Sequence, residues 1–229
     1  MNFISHFYID RKVNDSLFFA GVSTPDLVSV FDRNIRLKES RMPLIMENEA
    51  TAGEISFYNG VMRHFEADRI FHTSPFFYEE THIIARLIER NFKEGVYKRA
   101  FFVGHVLFEL LLDKILIQDD DTLVSDFYRH LESYPVQELV RLTEWVTHTA
   151  MPSYDGFLRK FFTKKYLTSY VDPEHVAYVL RRIVQGVGIA EISYIQSPRF
   201  LAMMETYEAG LALRCYPAFS QLNEKLCKV

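Results

Sequence analysis

The apolar segments of this chain read as helices joined by short connections, and the alternating β-branched runs that mark strands are missing throughout. Residues 2–9 form a short apolar stretch that suits a helix, with strand the alternative. Residues 16–21 continue apolar, after which Thr24 supplies an N-cap and Pro25 a first helical position for a short helix over 25–31. The charged stretch 32–49, with Pro43 inside it, reads as a loop. Thr51 and Glu54 have capping-box spacing and open a long helix to about Thr73. Ser74-Pro75 ends it and starts another, to about Lys93, closed by Gly95. A strongly apolar helix over 97–117 follows. Asp119, Asp120 and Asp121 stop it and offer a capping carboxylate to a helix over 122–133. Pro135 opens a helix to about His148, and Met151-Pro152-Ser153 is a turn. Residues 154–171 form one or two helices, Asp172-Pro173 caps 174–185, and Ser197-Pro198 caps a terminal helix reaching Leu226. The expected fold is all-α, a single-domain helical bundle.

Polar residues stand out against this pattern in two places. His64, Asp68 and His72 recur at intervals of four, so on a helix they drift by only about 40° per step and share one face. His105 and Glu109 repeat the interval inside the most apolar helix. Burying both without partners would cost several kcal/mol each. A shared cation, or a histidine-carboxylate pair, removes that cost. Imidazole and carboxylate from neighbouring helices are what a metal site built on helix side chains requires. His6 and Asp26 are further candidates, although an Asp in the first turn of a helix is also favoured by the helix dipole. His82, His130, His148 and His175 stand among polar neighbours and read as surface residues. Arg63 and Arg69 suit a phosphate or, more simply, the surface.

Composition narrows the function classes. A length of 229 residues, 48% of them apolar with 20 Phe and 13 Tyr, is ample for a large aromatic core. The formal charge of -4 and a pI near 6.1 give no basic excess for a nucleic-acid backbone. The two cysteines, Cys215 and Cys227, read as free thiols and not as a disulfide framework or zinc ribbon. The first residues are unlike a secretory signal, and no window has the roughly 18 uninterrupted apolar residues of a membrane span. The expectation is a soluble cytoplasmic protein with neither nucleic-acid nor membrane partners.

MNFISHFYID at the N-terminus, GVSTPDLV at 21–28, NGVMRHFEADRIFH at 59–72 and the apolar helix around His105 resemble the acyl carrier protein phosphodiesterase family, in the same order and at similar separations. The stretch SYDGFLRKFFTKKYLTSYVDPEHVAYVLRRI is similar in spacing more than identity. The resemblance implies an HD-domain-like helical phosphohydrolase in which a divalent cation, often manganese, helps release the phosphopantetheine arm from holo acyl carrier protein. His6 matches the histidine of the N-terminal motif, Asp26 the aspartate of a Gly-x-x-x-x-Asp stretch, and His64 and Asp68 a His-x-x-x-Asp pair. His72 stands where the family usually has an aspartate. His105 and Glu109 replace two aspartates, and Leu110 replaces a histidine. The higher nitrogen content favours Zn, Fe or Ni over Mn or Mg.

The expected chemistry is hydrolysis of a phosphoester by water activated on one or two divalent transition-metal ions (Zn, Fe, Ni or Mn). His64, Asp68, His105 and Glu109 would form the centre, with Asp68 as bridge and Asp26 or His72 completing a second site. His6 would ligate or protonate the leaving alcohol. Two alternatives come from other classes. One is a non-haem di-iron oxygenase, although the Glu and His spaced i, i+3 that such bundles use are missing. The other is a non-catalytic metal-binding helical module.

Overall fold

A computed structural model describes residues 1–42, 50–92, 99–189 and 192–227. Among these residues every regular element is helical: α1 (Phe3–Asp10), α2 (Ser16–Phe31), α3 (Ala52–His72), α4 (Pro75–Asn91), α5 (Ala100–Asp119), α6 (Thr122–Glu132), α7 (Val136–Thr147), α8 (Tyr154–Lys164), α9 (Pro173–Gly186) and α10 (Pro198–Leu226). Short 3₁₀ turns lie at Glu39–Arg41, Tyr166–Val171 and Ser193–Gln196. No described helix is long and apolar enough to cross a membrane. The expected helix boundaries at Lys93, Gly95 and Tyr97, and residues 43–49 of the expected loop, lie outside the described residues.

Local signals account for most helix starts. The Thr51 and Glu54 capping box forms reciprocally: the Glu54 carboxylate accepts from the Thr51 N–H at 2.9 Å, and the Thr51 hydroxyl accepts from the Glu54 N–H at 3.2 Å. Ser74, Asp172 and Ser197 cap α4, α9 and α10 through their side chains, each followed by proline at the first helical position. One boundary differs from expectation. Residues 16–31 form a single helix, not an apolar stretch followed by a short helix from Pro25. Its cap is Asp15, whose carboxylate accepts from the N–H groups of Leu17 and Phe18 at 3.0 and 3.1 Å. Pro25 lies inside the helix and supplies no donor, while the Thr24 hydroxyl donates to the Ala20 carbonyl at 2.7 Å.

The chain divides into two compact units, each discontinuous along the chain. One comprises residues 1–5, 70–121 and 167–229; the other comprises residues 6–69 and 122–166. Helices α1 and α3 therefore contribute residues to both.

The 6–69 and 122–166 unit is organised by a backbone crossing of α2 and α3. A Cβ on Gly21 would lie 2.0 Å from the Phe57 carbonyl oxygen, and one on Gly60 would lie 2.0 Å from the Phe18 carbonyl oxygen. Only paired glycines permit main chains this close, because neither neighbour is a side chain able to turn aside. Around the crossing, Phe7 and Phe19 pack at a centroid distance of 4.7 Å, and Phe31 packs on Tyr154 at 5.0 Å. These rings bury the apolar faces that the sequence pattern laid out.

In the other unit α4 and α5 form an antiparallel hairpin. A Cβ on Gly104 would lie 2.7 Å from Ile84 Cγ2, so the residue before His105 is pressed against α4. Phe71 stacks on Phe108 at 5.8 Å. Two buried carboxylates are paired: Lys114 bonds Glu208, and Glu80 accepts from Arg214 Nε at 2.6 Å and Tyr207 at 2.8 Å. Asp113 takes the place of a capping residue for α1, its carboxylate accepting from the N–H groups of Ile4 and Ser5 at 3.1 and 2.8 Å and from the Ser5 hydroxyl at 2.7 Å.

Two outcomes follow. Gly60→Ala should lower stability by about 3 kcal/mol or more, read from the urea midpoint, because the helices must separate. Gly156→Ala, where a Cβ meets nothing within 4 Å, should not destabilise, and equal losses in both variants would contradict the crossing. For Asp113, burial pushes the carboxyl up to about 6 against the pull of its Ser5 and Ile4 donors. The folded chain then holds that proton more tightly than the unfolded one, so the group's stabilisation is full below its ordinary 3.8 and is lost as pH rises through 6. Asp113→Ala should cost about 2–4 kcal/mol by orphaning the donors of α1, with a larger deficit at pH 4.5 than at pH 7. A deficit that grows with pH would contradict this sign.

Candidate metal centres

The Gly21 and Gly60 crossing delivers a carbonyl to an imidazole. His64 lies one turn beyond Gly60 on α3, and its Nδ1 is 2.9 Å from the carbonyl oxygen of Val22, the residue after Gly21. A carbonyl only accepts, so Nδ1 carries the proton and donates. Burial, then the neighbouring His6, hold the His64 pKa well below 6.5 against the opposing pull of Asp68, so the ring is neutral. Its Nε2 therefore presents a lone pair, and 3.6 Å away stands Oδ2 of Asp68. The other oxygen of Asp68 is 3.2 Å from Nε2 of His6. The two imidazoles stack at 4.0 Å with 19° between their planes. Burial works against ionisation of Asp68, yet its carboxyl is held well below the usual range, with the hydrogen bond from His6 among the lowering influences.

Asp26 joins this group from α2, one turn after Val22 and hence on the same face. Ligand atoms of His6, Asp26 and His64 all lie within 4.8 Å of one another. His6 and His64 are buried, while the Asp68 side chain is 29% exposed and marks the open side.

A second group forms in the other unit. Oε1 of Glu109 is 3.0 Å from Nε2 of His72, 3.0 Å from Nε2 of His105 and 3.0 Å from the amino group of Met1. Burial opposes ionisation of Glu109, but the Met1 amino group and the bonds from His105 and His72 outweigh it and hold the carboxyl well below its ordinary value. The imidazoles of His72 and His105 have centroids 5.2 Å apart, and both meet the Phe77 ring edge to face, at 4.7 and 4.8 Å. His72 and His105 are about 30% exposed, so His105 is not enclosed as its apolar sequence context suggested.

These distances can be compared with a coordination shell. Ligand bonds of about 2.0–2.1 Å in tetrahedral geometry place neighbouring donor atoms roughly 3.3 Å apart. The contacts of 3.0–3.6 Å within both groups bracket that spacing. His64 neutral, Asp68 ionised and Glu109 ionised are also the protonation states that a cation requires. The residues present therefore fit a divalent ion.

All seven residues expected from the sequence fall in these groups: His64 and Asp68 stand with His6 and Asp26 in one unit, and His105 and Glu109 stand with His72 in the other. Helix periodicity shows which residues share a face and not which faces meet. Arg63 is committed elsewhere: its Nε and Nη2 donate to Asp10 at 3.0 and 2.8 Å. His130, expected at the surface, instead packs 4.8 Å from Phe19 and bonds the Ser16 hydroxyl at 2.9 Å through Nδ1. His148 is exposed as expected. The Val22 carbonyl and the Met1 amino group had no signal in residue type, although Gly60, four residues before His64, marked the approach that brings the carbonyl.

Comparison with protein-family models, with curated proteins and with solved structures finds no match to the chain.

The tautomer of His64 is directly measurable. Long-range ¹H–¹⁵N NMR should find this ring protonated at Nδ1 and titrating well below 6.5. A ring protonated at Nε2, or titrating near 6.5, would contradict the geometry.

Proposed function

We propose that this protein is a metal-dependent phosphoester hydrolase, with a divalent transition-metal ion (Zn, Fe, Ni or Mn) in each of the two histidine-carboxylate groups. The observation that carries the reading is the juxtaposition of the His64 Nε2 lone pair with the Asp68 carboxylate. Two electron-rich groups face each other in a largely buried place, and a shared cation is what makes that arrangement favourable.

His6, Asp26, His64 and Asp68 would hold one ion; His72, His105 and Glu109 would hold the other. A bound divalent ion lowers the pKa of water towards neutrality and takes up charge on phosphoryl oxygens. The protein's own residues set the conditions for that chemistry. Val22 fixes the His64 tautomer and ring orientation through its carbonyl, the role a hydrogen-bonded partner plays for a ligating imidazole. The His6 ring is 2% exposed and lies face to face with His64, a placement suited to ligation more than to protonating a leaving group. Asp68 and Glu109 remain ionised and contribute the negative charge that retains a cation. Asp68, on the open side, is the group that a phosphoester would meet first.

The likeness of the segments at 1–10, 21–28 and 59–72 to the acyl carrier protein phosphodiesterase family supports a phosphodiester as the substrate class, with holo acyl carrier protein the natural first substrate to try. An HD-domain-like arrangement belongs to the same proposal.

Elemental analysis of protein purified without added metal should find at least one transition-metal ion per chain. His64→Ala and His105→Ala should each reduce that content and lower hydrolysis of bis-p-nitrophenyl phosphate by about 100-fold, the size of effect seen when a metal site is disturbed. Metal-free wild-type protein that hydrolyses no phosphodiester with Zn, Fe, Ni or Mn supplied would overturn the reading.

A further inference from the structure

Next to the His72, His105 and Glu109 group, the same unit exposes aromatic surface that the core does not use. Tyr78 on α4 is 63% exposed and Phe101 on α5 is 47% exposed. His82 stands between them, 4.0 Å from the Tyr78 ring and 5.2 Å from the Phe101 ring. A bond from His82 Nδ1 to the Tyr78 carbonyl, at 2.7 Å, holds this imidazole to α4. Three rings thus form a continuous aromatic step across the α4 and α5 hairpin.

The step adjoins the histidine-carboxylate group by construction. Phe101, His105 and Glu109 succeed one another at intervals of four on α5, so they form one stripe with about 6 Å between successive members. On α4, Phe77 touches both His72 and His105, and Tyr78 is the next residue. An exposed aromatic standing alone needs no explanation, but adjoining exposed rings make a contiguous apolar patch of the kind that marks binding surfaces. Here they lie one helical turn from a place suited to a cation, and through it to a phosphate.

We infer that the Tyr78, His82 and Phe101 step is a stacking platform for the planar ring of a small phosphoester, a nucleotide-type substrate whose phosphate is held at the His72, His105 and Glu109 centre. The inference rests on the metal-dependent reading of that centre. Stacking on aromatic faces is the usual way in which proteins hold an unpaired base. The chain's acidic balance is consistent with a single nucleotide and not a polynucleotide. Tyr78 and Phe101 would position the ring and are not among the ligands of the centre, so truncating them should leave metal content intact.

The test compares AMP with ribose 5-phosphate, which keeps the sugar phosphate and lacks the base. Binding of each to zinc-supplemented protein is measured by calorimetry, alongside bound zinc and the thermal midpoint. AMP should bind at least about 10-fold more tightly than ribose 5-phosphate, and Tyr78→Ala and Phe101→Ala should each weaken AMP by about 5- to 50-fold, the range of one lost base–aromatic stack. Affinity for ribose 5-phosphate, zinc content and thermal midpoint should not move. Zinc bound with equal affinities for the two probes would overturn the platform and leave the metal centre standing. No zinc with AMP still preferred would sink the metal centre and support the platform. Loss of self-association in the variants, with AMP binding untouched, would make the step an interface between copies and overturn the inference.

Discussion

Two glycines set the geometry on which the candidate chemistry depends. Gly21 and Gly60 allow the main chains of α2 and α3 to come closer than any side chain would permit, with prospective Cβ positions 2.0 Å from carbonyl oxygens. At that range the carbonyl of Val22 can reach the imidazole of His64, and the reach decides everything about that ring. Its proton goes to Nδ1, its lone pair to Nε2, and burial keeps it neutral. Widening the crossing by one methyl group would release the carbonyl, free the tautomer and blunt the orientation towards Asp68. A packing constraint thus becomes a chemical one. A single glycine, Gly104, allows a less extreme approach of α5 to α4 immediately before His105, its nearest neighbour being the Ile84 side chain.

The two groups differ in what surrounds them. His6 and His64 are buried, stacked and fixed by a backbone acceptor. His72 and His105 are part-exposed and meet the edge of Phe77, beside a run of aromatic side chains that reaches the surface. An ion held as proposed in the first group would be fixed rigidly, and one held in the second would be open to a ligand.

Much of this architecture was legible in the sequence, because much of it is local. The Thr51 and Glu54 capping box and the Ser-Pro boundaries at 74 and 197 are written in adjacent residues, and those helices begin where such residues place them. The i, i+4 spacing of His64 with Asp68 and of His105 with Glu109 correctly put each pair on one face. Pro25 misled for an instructive reason. Ser-Thr-Pro-Asp reads locally as the start of a helix, yet the Asp15 cap nine residues earlier had already begun one, and the Thr24 side chain bonds back into it. The partition of ligands was not legible, since it depends on which helix faces meet. That is decided by crossings such as Gly21 with Gly60, whose significance appears only once both helices are in place.

The central claim is that the His64 lone pair and the Asp68 carboxylate face one another because they share a cation. Anomalous diffraction from crystals grown with zinc, recorded on both sides of the zinc edge, tests it most directly. The account predicts a peak about 2.0–2.2 Å from His64 Nε2 and from an Asp68 oxygen, with Nδ1 still directed at the Val22 carbonyl. Density with no anomalous peak there, and His64 turned so that Nε2–H donates to Asp68, would contradict it.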